Sequence, residues 1–561
     1  MKRTLANILA VAIVCVSLHA QERSGQTEKK EPEARRIELP ATPTNAPQQP
    51  PLPKIDLPEY IITGIAALTV PNVHKEGALE TARGVDLRAY HAFVGARERE
   101  TVELENRQKE SLHASSSLMN GQAMASVGNY FTPRVEFWVG QTTPDYDYRV
   151  QAGYHRTKGY VRNSDRSGGN LGVNGGVLFG PGAMEGARLG GDLSFGSENY
   201  RFFGSNTPTS KRTLSNYGLA VSLTPSSTGG LRLKPYLGYR YDTITDSSAQ
   251  TRQHRATLGV DAEMPFESVS LFGSLRYDNA SMLGAHAGHP TMVQARVGTT
   301  RYWWDGFFVK GAAQFYAAKS MAGQKLTRIY PDVSIGYYVD NKHLASLSYA
   351  GSIEFVDLAT KAGMNPYLSA GSVFRHTDRS RQIGLAVESD WTEDVRTKFN
   401  VSYQYVNDYG LYIDPLGTGI GTLNYAGKTT LWQYQAEGFA KLTPNDYVSG
   451  KVSVNSTDNS VTALAIPYIP EFEVGGSYTH WFPYNIGVSP SVSYTGRRET
   501  GSVVSQQLPG YFLFGVRAEY EPVIPLSVFI DLHNITNKKY ELWKGYQAPP
   551  FMITGGVSFR W

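Results

Sequence analysis

The chain has 561 residues, and its 54 basic and 50 acidic side chains leave a formal net charge of +4. A dedicated nucleic-acid-binding protein usually concentrates basic residues in one stripe, so this balance argues against a nucleic acid as a partner. The 35 Tyr and 56 Gly residues, without long apolar runs, favour many short strands over helices.

Residues 1–20 have the pattern of a secretory signal peptide. A basic start is followed by an apolar stretch from Leu5 to Leu18, and Ala20 offers a small residue for cleavage. The stretch is short for a spanning helix, so we expect export, with a single membrane anchor as the alternative. The sole cysteine, Cys15, lies within this segment. The mature chain is therefore expected to be stabilised without disulfide bonds.

Three segments of different composition follow the signal. Residues 21–54 are rich in proline and mixed charge, which predicts a disordered linker. Residues 55–64, IDLPEYIITG, form a short apolar patch after that linker. Residues 65–120 come next, and the alternating charges of 97–110 favour a solvated helix or loop.

From residue 121 to residue 561 the sequence alternates between apolar and polar residues in recurring short segments. In Leu231–Asp242, LRLKPYLGYRYD, the apolar residues share one face and the charged residues and glycines share the other. A two-layer sandwich would also alternate. A transmembrane barrel is favoured because aromatic residues gather at segment ends, as in Tyr302–Trp304 and Trp481–Tyr484, and because the polar faces combine charge with glycine. The fold class we predict is all-β, an antiparallel transmembrane β-barrel of about 22 strands.

The final strand alternates up to the last residue. One face carries Phe551, Ile553, Gly555, Val557, Phe559 and Trp561. Only a closed barrel leaves no unpaired strand edge in lipid, so we expect this strand to pair with the first one and Trp561 to lie at the membrane interface. The ending resembles the C-terminal signal of outer-membrane barrels. That resemblance implies the barrel-assembly machinery and outer-membrane lipid as partners.

The last quarter of the chain, from Lys428 to Trp561, resembles the C-terminal strands of TonB-dependent receptors. The similarity rests on the NITNKKY step at Asn534–Tyr540, on the Gly-Tyr-x-x-Pro approach at Gly545–Pro549 and on the aromatic ending. It implies a 22-stranded barrel in the outer membrane of a Gram-negative-type bacterium. It also implies solute uptake or a receptor function, for a solute that the sequence does not name.

The apolar patch resembles the TonB box of the same family, which often has the pattern Leu-x-Glu-Val-x-Val-Thr-Gly. The corresponding residues are Leu57, Pro58, Glu59, Tyr60, Ile61, Ile62, Thr63 and Gly64. An extended apolar segment on a flexible arm can add a strand to a partner's sheet, and the resemblance implies TonB as that partner. The alternative is an ordinary apolar patch flanked by proline.

The chain departs from this family before the barrel begins. The receptors carry a plug domain of well over a hundred residues after the box, whereas only residues 65–120 follow it here. We therefore predict a missing or vestigial plug. The lumen of a 22-stranded transporter is normally filled, so we expect residues 65–120, inward-folded loops or a partner to occupy it. Two other functions stay open: a structural or assembly barrel that houses a partner, and a passive porin.

Three short motifs could suggest chemistry, and each is better explained by an ordinary loop. His286 and His289 have no supporting cysteine or acidic cluster for a metal site. Gly417–Gly421 is glycine-rich like a phosphate loop, but no helix pattern follows it. Arg497–Glu499 has the composition of a charged rim. No catalytic, cofactor-binding or metal-binding residue is predicted, and we do not expect an enzyme.

Overall fold

The computed structural model describes residues 120–561 apart from short gaps at 182–183, 227–229, 248, 267–268, 285, 305, 341, 426, 462–464, 502–505 and 524. The predicted signal peptide, the linker, the TonB-box-like segment Leu57–Gly64 and all but the last residue of segment 65–120 lie outside the described residues. The predictions made for them stay predictions.

The described residues form strands joined by loops, with one short helix among them. The strands are β1 (Gly121–Gly128), β2 (Arg134–Thr142), β3 (Tyr146–Thr157), β4 (Arg166–Leu178), β5 (Arg188–Arg201), β6 (Lys211–Thr224), β7 (Arg232–Asp246), β8 (Gln250–Pro265), β9 (Ser270–Leu283), β10 (Thr291–Thr299), β11 (Tyr302–Trp304), β12 (Phe307–Lys319), β13 (Lys325–Asp340), β14 (His343–Glu354), β15 (Thr377–Asp390), β16 (Val395–Asn407), β17 (Leu411–Ile413), β18 (Thr422–Asn424), β19 (Lys428–Thr443), β20 (Asp446–Asn459), β21 (Phe472–Phe482), β22 (Ile486–Thr495), β23 (Arg498–Glu499), β24 (Gln507–Leu508), β25 (Tyr511–Val523), β26 (Leu526–His533), β27 (Glu541–Trp543), β28 (Tyr546–Gln547) and β29 (Met552–Arg560). The helix, α1, spans Leu358–Met364. In this part of the chain no helix is long and apolar enough to cross a bilayer.

Twenty-two of these strands form one closed antiparallel barrel, as predicted. Each long strand pairs with its neighbours in the chain, and β1 pairs both with β2 and with the last strand, β29. The closing register runs from Gln122 opposite Arg560 to Gly128 opposite Thr554. The short strand β11 lies beside β12, and the pairs β17/β18, β23/β24 and β27/β28 are small hairpins within loops.

Side chains alternate between the lipid-facing surface and the lumen, because successive residues of a strand point to opposite faces. On β7, Leu233 and Leu237 face outward and are 48% and 49% exposed. Asp242, on the same strand, faces the lumen and is 3% exposed. On β26, the outward Ile530 is 51% exposed and the inward Phe529 is 5% exposed. The apolar faces predicted from the sequence are therefore the outer wall.

The two rims of the barrel differ. Asn120 and Trp561 lie together at one rim, here called the near rim, where Asn120 N donates to Trp561 O over 2.6 Å. Its connections are short turns such as 143–145 and 444–445. Exposed aromatic residues cluster beside these turns, including Trp304, Trp391, Phe482, Tyr484 and Trp561. An aromatic girdle at strand ends marks a membrane interface, as the sequence predicted.

The opposite rim, here called the far rim, carries the long connections. They are 355–376, which contains α1, 408–427 with β17 and β18, 460–471, 496–510 with β23 and β24, and 534–551 with β27 and β28. All five follow β14 in the chain. Short turns at one rim and long loops at the other are the expected asymmetry of an outer-membrane barrel.

The seam where the barrel closes depends on the fit between Gly121 and Trp561. A methyl group at Gly121 would lie 2.3 Å from the Trp561 ring, which also contacts Phe137 at 6.0 Å between ring centroids. We expect Gly121→Ala to lower the free energy of unfolding by about 1–3 kcal/mol, the usual cost of overpacking. Denaturant unfolding in detergent micelles measures this difference.

Two further variants test whether the ring causes that cost. In a Trp561→Ala background, Gly121→Ala should lower the free energy of unfolding by less than it does in the native chain. Some loss should remain, because the new methyl group still lies 2.9 Å from the Trp138 carbonyl oxygen. Gly311→Ala is the matched control, because nothing lies within 4 Å of a methyl group there. Equal losses in both backgrounds would show that the close contact with Trp561 is unimportant.

Candidate functional site

The loop 355–376, here called the inward loop, folds across the far mouth of the barrel. Its helix α1 begins after Asp357, whose carboxylate accepts a hydrogen bond of 2.7 Å from the backbone N–H of Thr360. Apolar residues of the loop pack with Ile244 of β7 and Met282 of β9 in one buried cluster. The loop contributes Val356, Leu358, Ala362, Met364, Leu368, Ala370 and Phe374. The inward loop is thus packed against the lumen wall like part of a protein core.

A buried ion-pair network fastens the start of the inward loop to this wall. Arg255 of β8 reaches Asp357 of the loop at 2.5 Å and Asp278 of β9 at 2.9 Å, and both carboxylates are almost fully buried. The Arg255 guanidinium also lies 4.3 Å from the centroid of the Phe355 ring. A charge in a water-poor site is strongly held by its partners, and removing one partner is costly. Arg255 therefore holds the loop by its charge as well as by packing.

A second arginine holds the other end of α1. Arg212 of β6 is fully buried and binds both oxygens of Asp246 at 2.6 Å. Its remaining terminal nitrogen donates to the carbonyls of Pro366 and Leu368, at 2.8 and 2.5 Å. These carbonyls belong to irregular backbone that lacks regular partners, and a buried carbonyl without a donor is unfavourable. Arg212 thus holds the loop in place and also supplies the hydrogen bonds that its backbone carbonyls need.

Neutral polar side chains of β8 complete the attachment. Gln253 accepts a hydrogen bond of 2.8 Å from Leu358 N at the start of α1. Thr251 donates to the carbonyl of Ala370 over 2.9 Å. Both side chains are almost completely buried. One strand therefore contacts the inward loop at its beginning, through Arg255 and Gln253, and near its end, through Thr251.

Two other far-rim loops lie against the inward loop. Gly421, in loop 408–427, exchanges backbone hydrogen bonds with it, donating to Tyr367 O at 3.0 Å and accepting from Ser369 N at 2.7 Å. Tyr546, in loop 534–551, stacks on Tyr367 with ring centroids 3.4 Å apart and donates to Gly419 O. The far mouth is therefore covered by three interlocked loops, of which the inward loop lies deepest.

A cleft opens between these loops and loop 460–471. It is shallow and open to solvent, with a cavity volume of about 20 Å³. Its lining is aromatic with a few polar groups: Asn365, Tyr367, Tyr412, Ile413, Asp414, Gly419, Gly421, Tyr468, Trp543, Lys544 and Tyr546. Concave aromatic surfaces with a small number of polar groups are typical of small-molecule sites. We take this cleft, together with the loops that form it, as the candidate site.

His376 lies at the end of the inward loop, where the chain enters β15. Its Nδ1 accepts a hydrogen bond from Val356 N at 3.3 Å, and its Nε2 lies 3.0 Å from the carbonyl of Lys319. This pattern requires a neutral ring that donates through Nε2. Burial lowers the pKa of His376 below its ordinary value of 6.5, although its hydrogen bonds to the backbone of Lys319 and Thr291 oppose the shift.

Two of the short sequence motifs lie in far-rim loops. Gly417–Gly421 lies in loop 408–427, where Asp414 accepts from the backbone N–H groups of Thr418 and Gly419, so the motif packs against its neighbours. Arg497 pairs with Glu471 at the surface, whereas Arg498 is buried and donates to carbonyls of Leu542 and Glu541.

The histidines and the last strand can also be placed. His286 and His289 lie in the connection between β9 and β10, and no cluster of potential metal ligands occurs among the described residues. Phe551 immediately precedes β29, whose outward face carries Ile553, Gly555, Val557 and Phe559, with Trp561 just after the strand. The role of these residues as an assembly signal stays a prediction.

Sequence reasoning missed the residues that close the far mouth. Arg212, Arg255 and Asp278 alternate with apolar residues like many other lumen residues, and nothing local marks them as partners of a loop. A partial signal exists in the inward loop itself. Asp357 before a helix-forming run and Asn365-Pro366 after it are start and stop signals for a short helix.

The sequence matches no protein-family model and no curated protein. Solved structures share its fold. The FrpB iron transporter from Neisseria meningitidis superposes with a TM-score of 0.64 at 11% identity, over 81% of this chain and 83% of that chain. The copper transporter OprC gives 0.63 at 12% identity, over 79% and 80%. The ferric-catecholate import receptor Fiu from E. coli K12 gives 0.59 at 11% identity, over 80% and 82%.

At these identities the similarity establishes the fold. The chain has the 22-stranded barrel of these transport proteins, and the barrel expected from the resemblance to TonB-dependent receptors is confirmed.

Asp357→Asn removes the charge that pairs with Arg255 but keeps the N-cap of α1, because asparagine is as good an N-cap as aspartate. We expect this variant to destabilise the closed position of the inward loop by roughly 1.5–3 kcal/mol, the usual range for a hydrogen bond to a charged group. Amide hydrogen exchange across 355–376 should accelerate while exchange in the barrel strands stays unchanged. Unaltered exchange in the loop would show that the ion pair with Arg255 does not hold it.

The buried His376 predicts a pH-dependent loop. Because its pKa is lowered on burial, the closed loop is fully stabilised above a pH of about 6.5 and loses stability as the pH falls from there towards the lowered value. Channel openings in planar bilayers should become more frequent at about pH 5.5 than at about pH 7.5. His376→Gln keeps a donor and an acceptor without a titrating ring, so its openings should not change over this interval. An identical pH response in this variant would assign the effect to other groups.

Proposed function

We propose that the chain is an outer-membrane receptor that takes up a solute, with TonB as the energising partner at Leu57–Gly64. The shared fold with transporters and receptors supports this function, as does the resemblance of the segment 55–64 to a TonB box. The same neighbours support an outer-membrane location and a function other than catalysis. FrpB is an iron transporter, Fiu a ferric-catecholate import receptor and OprC a copper transporter, and we assign none of these solutes to this chain.

The observation that carries the proposal is the fastening of the inward loop. A general porin needs a continuous water-filled path, whereas here a helix-bearing loop is held across the far mouth by buried charges at both ends. From this fastening we infer an equilibrium between two discrete states, because a buried ion pair is either formed or broken. A gate of this kind suits regulated passage and disfavours the passive-porin alternative.

The aromatic cleft is the place where we propose that a solute first binds. Tyr367 and Tyr546 lie both in its lining and in the contact between the inward loop and loop 534–551. A bound solute can therefore change the same contacts that hold the loops together. Ligands shift an equilibrium only through different contacts in its two states, and this shared position provides such a difference.

A disulfide across the loops tests the gate. The backbone N–H of Asn206 donates to Thr418 O over 3.0 Å, so cysteines at these two positions are close enough to join loop 202–210 to loop 408–427. No cysteine of the described chain interferes, because Cys15 lies in the predicted signal peptide. Single-channel recordings would compare Asn206→Cys/Thr418→Cys, oxidised and reduced, with both single-cysteine variants.

We expect rare openings for the native chain, fewer still for the oxidised double variant, and recovery on reduction. Asp357→Asn should open more often than the native chain. Removal of residues 21–120 shows in the same recordings whether the N-terminal segment adds a second barrier. Steady large conductance in every variant would contradict a gate and favour a porin. A protein that co-purifies stably and seals the lumen would favour the partner-housing alternative.

A further inference from the structure

Two lysines face each other on the outer wall near the far rim. Lys319 ends β12 and Lys325 begins β13, and the two residues are direct cross-strand partners. Both side chains are exposed, and the hairpin between them is closed by a hydrogen bond of 2.8 Å from Ser320 N to Gln324 O. Like charges directly opposite each other in a sheet are unfavourable. An anion bound between these two lysines on the lipid-facing side would remove this repulsion.

Two further cations lie on the outer wall, on strands that follow in the sheet. Arg381 of β15 is the cross-strand partner of Tyr405 on β16, and its guanidinium lies 5.6 Å from the ring centroid. Lys428 at the start of β19 approaches the same ring at 5.9 Å. Both are exposed, and they flank one tyrosine. We call Lys319, Lys325, Arg381 and Lys428 the basic arc.

Among the described residues, no carboxylate lies within ion-pairing distance of the basic arc. The outward-facing Asp458 on β20 is opposite Thr430, and it makes no ion pair with Lys428. Another pair of facing cations in the same barrel differs from the basic arc. Arg201 is opposite Lys211 on β5 and β6, but Arg201 binds Asp165 at 2.8 Å. One cation of that pair thus has a carboxylate partner, whereas within the described part of the chain neither Lys319 nor Lys325 has one.

The position of the basic arc indicates which negatively charged groups can lie beside it. On the same strands and nearer the middle of the wall, Phe315, Ile329, Ile383 and Trp432 are outward-facing and between 38% and 72% exposed. This apolar surface contacts lipid tails, and aromatic and basic residues just beyond such a band lie at the depth of the headgroups. The groups that surround the arc are therefore lipid headgroups.

We propose that the basic arc binds the phosphate groups of membrane lipids at the far rim. A phosphate between Lys319 and Lys325 converts their repulsion into two attractions, and its oxygens accept hydrogen bonds from both ammonium groups. Arg381 and Lys428 bind a neighbouring headgroup beside the Tyr405 ring. Each lysine or arginine near a charged membrane surface contributes about 1 kcal/mol of attraction, which is close to a five-fold change in affinity.

The test uses the full chain reconstituted in phosphatidylcholine vesicles with increasing fractions of phosphatidic acid, at low salt. The thermal unfolding midpoint should rise and then saturate as the phosphate-bearing lipid increases. In Lys319→Gln/Lys325→Gln, the fraction needed for half of this rise should increase about five-fold for each cation removed. Arg381→Gln/Lys428→Gln should behave similarly. Arg396→Gln/Arg497→Gln removes two exposed cations that already pair with carboxylates, Asp390 and Glu471, and should respond like the native chain.

A second measurement separates lipid binding from a general loss of stability. In pure phosphatidylcholine, Lys325→Gln alone should unfold at a higher temperature than the native chain, because the repulsion with Lys319 is relieved. The same variant should gain less from phosphatidic acid. The proposal is overturned if the control pair loses as much response as the arc variants. It is also overturned if the arc variants keep the native response, or if inorganic phosphate in pure phosphatidylcholine gives the same rise.

Discussion

The closing of the sheet is the constraint on which the rest of this structure depends. In a bilayer, an unpaired backbone N–H or C=O has no water to bind, so a sheet must have no edge. The chain meets this requirement by pairing β29 with β1, which brings Trp561 against Gly121. Once the sheet is closed, every strand has one face towards lipid and one towards the lumen. Charged residues are then confined to the lumen, the rims and the headgroup region.

That confinement explains why the lumen holds so many arginine–aspartate pairs. Arg240, Arg255 and Arg296 all have carboxylate partners on the inner wall. A loop that enters this space must match the charges already there, and the inward loop does so with Asp357 and with the free carbonyls that Arg212 binds. The inner wall therefore acts as a template for the loop. Packing alone would hold a loop at the mouth, but it would not select one position so strongly.

The fold could be predicted from sequence because it depends on local signals. Period-two alternation in segments such as Leu231–Asp242, aromatic residues at strand ends and the final Trp561 each report a strand or a membrane border. The candidate site could not be found in this way. The contact between Arg255 and Asp357 joins residues about a hundred positions apart, and no short-range pattern encodes it. Gly417–Gly421 shows the same limit, since its sequence indicates a free loop and the structure packs it between two others.

The distribution of the far-rim loops has a consequence for how such a protein can diversify. All five long loops belong to the half of the barrel after β14, whereas the wall that receives the inward loop is β6–β9. The long far-rim loops and the wall that receives the inward loop are therefore encoded by largely separate stretches of the chain. Loops 460–471 and 496–510 can exchange sequence by recombination without altering Arg212, Arg255 or Asp278. The contacts that fasten the inward loop to the wall would then stay unchanged while the other far-rim loops differ.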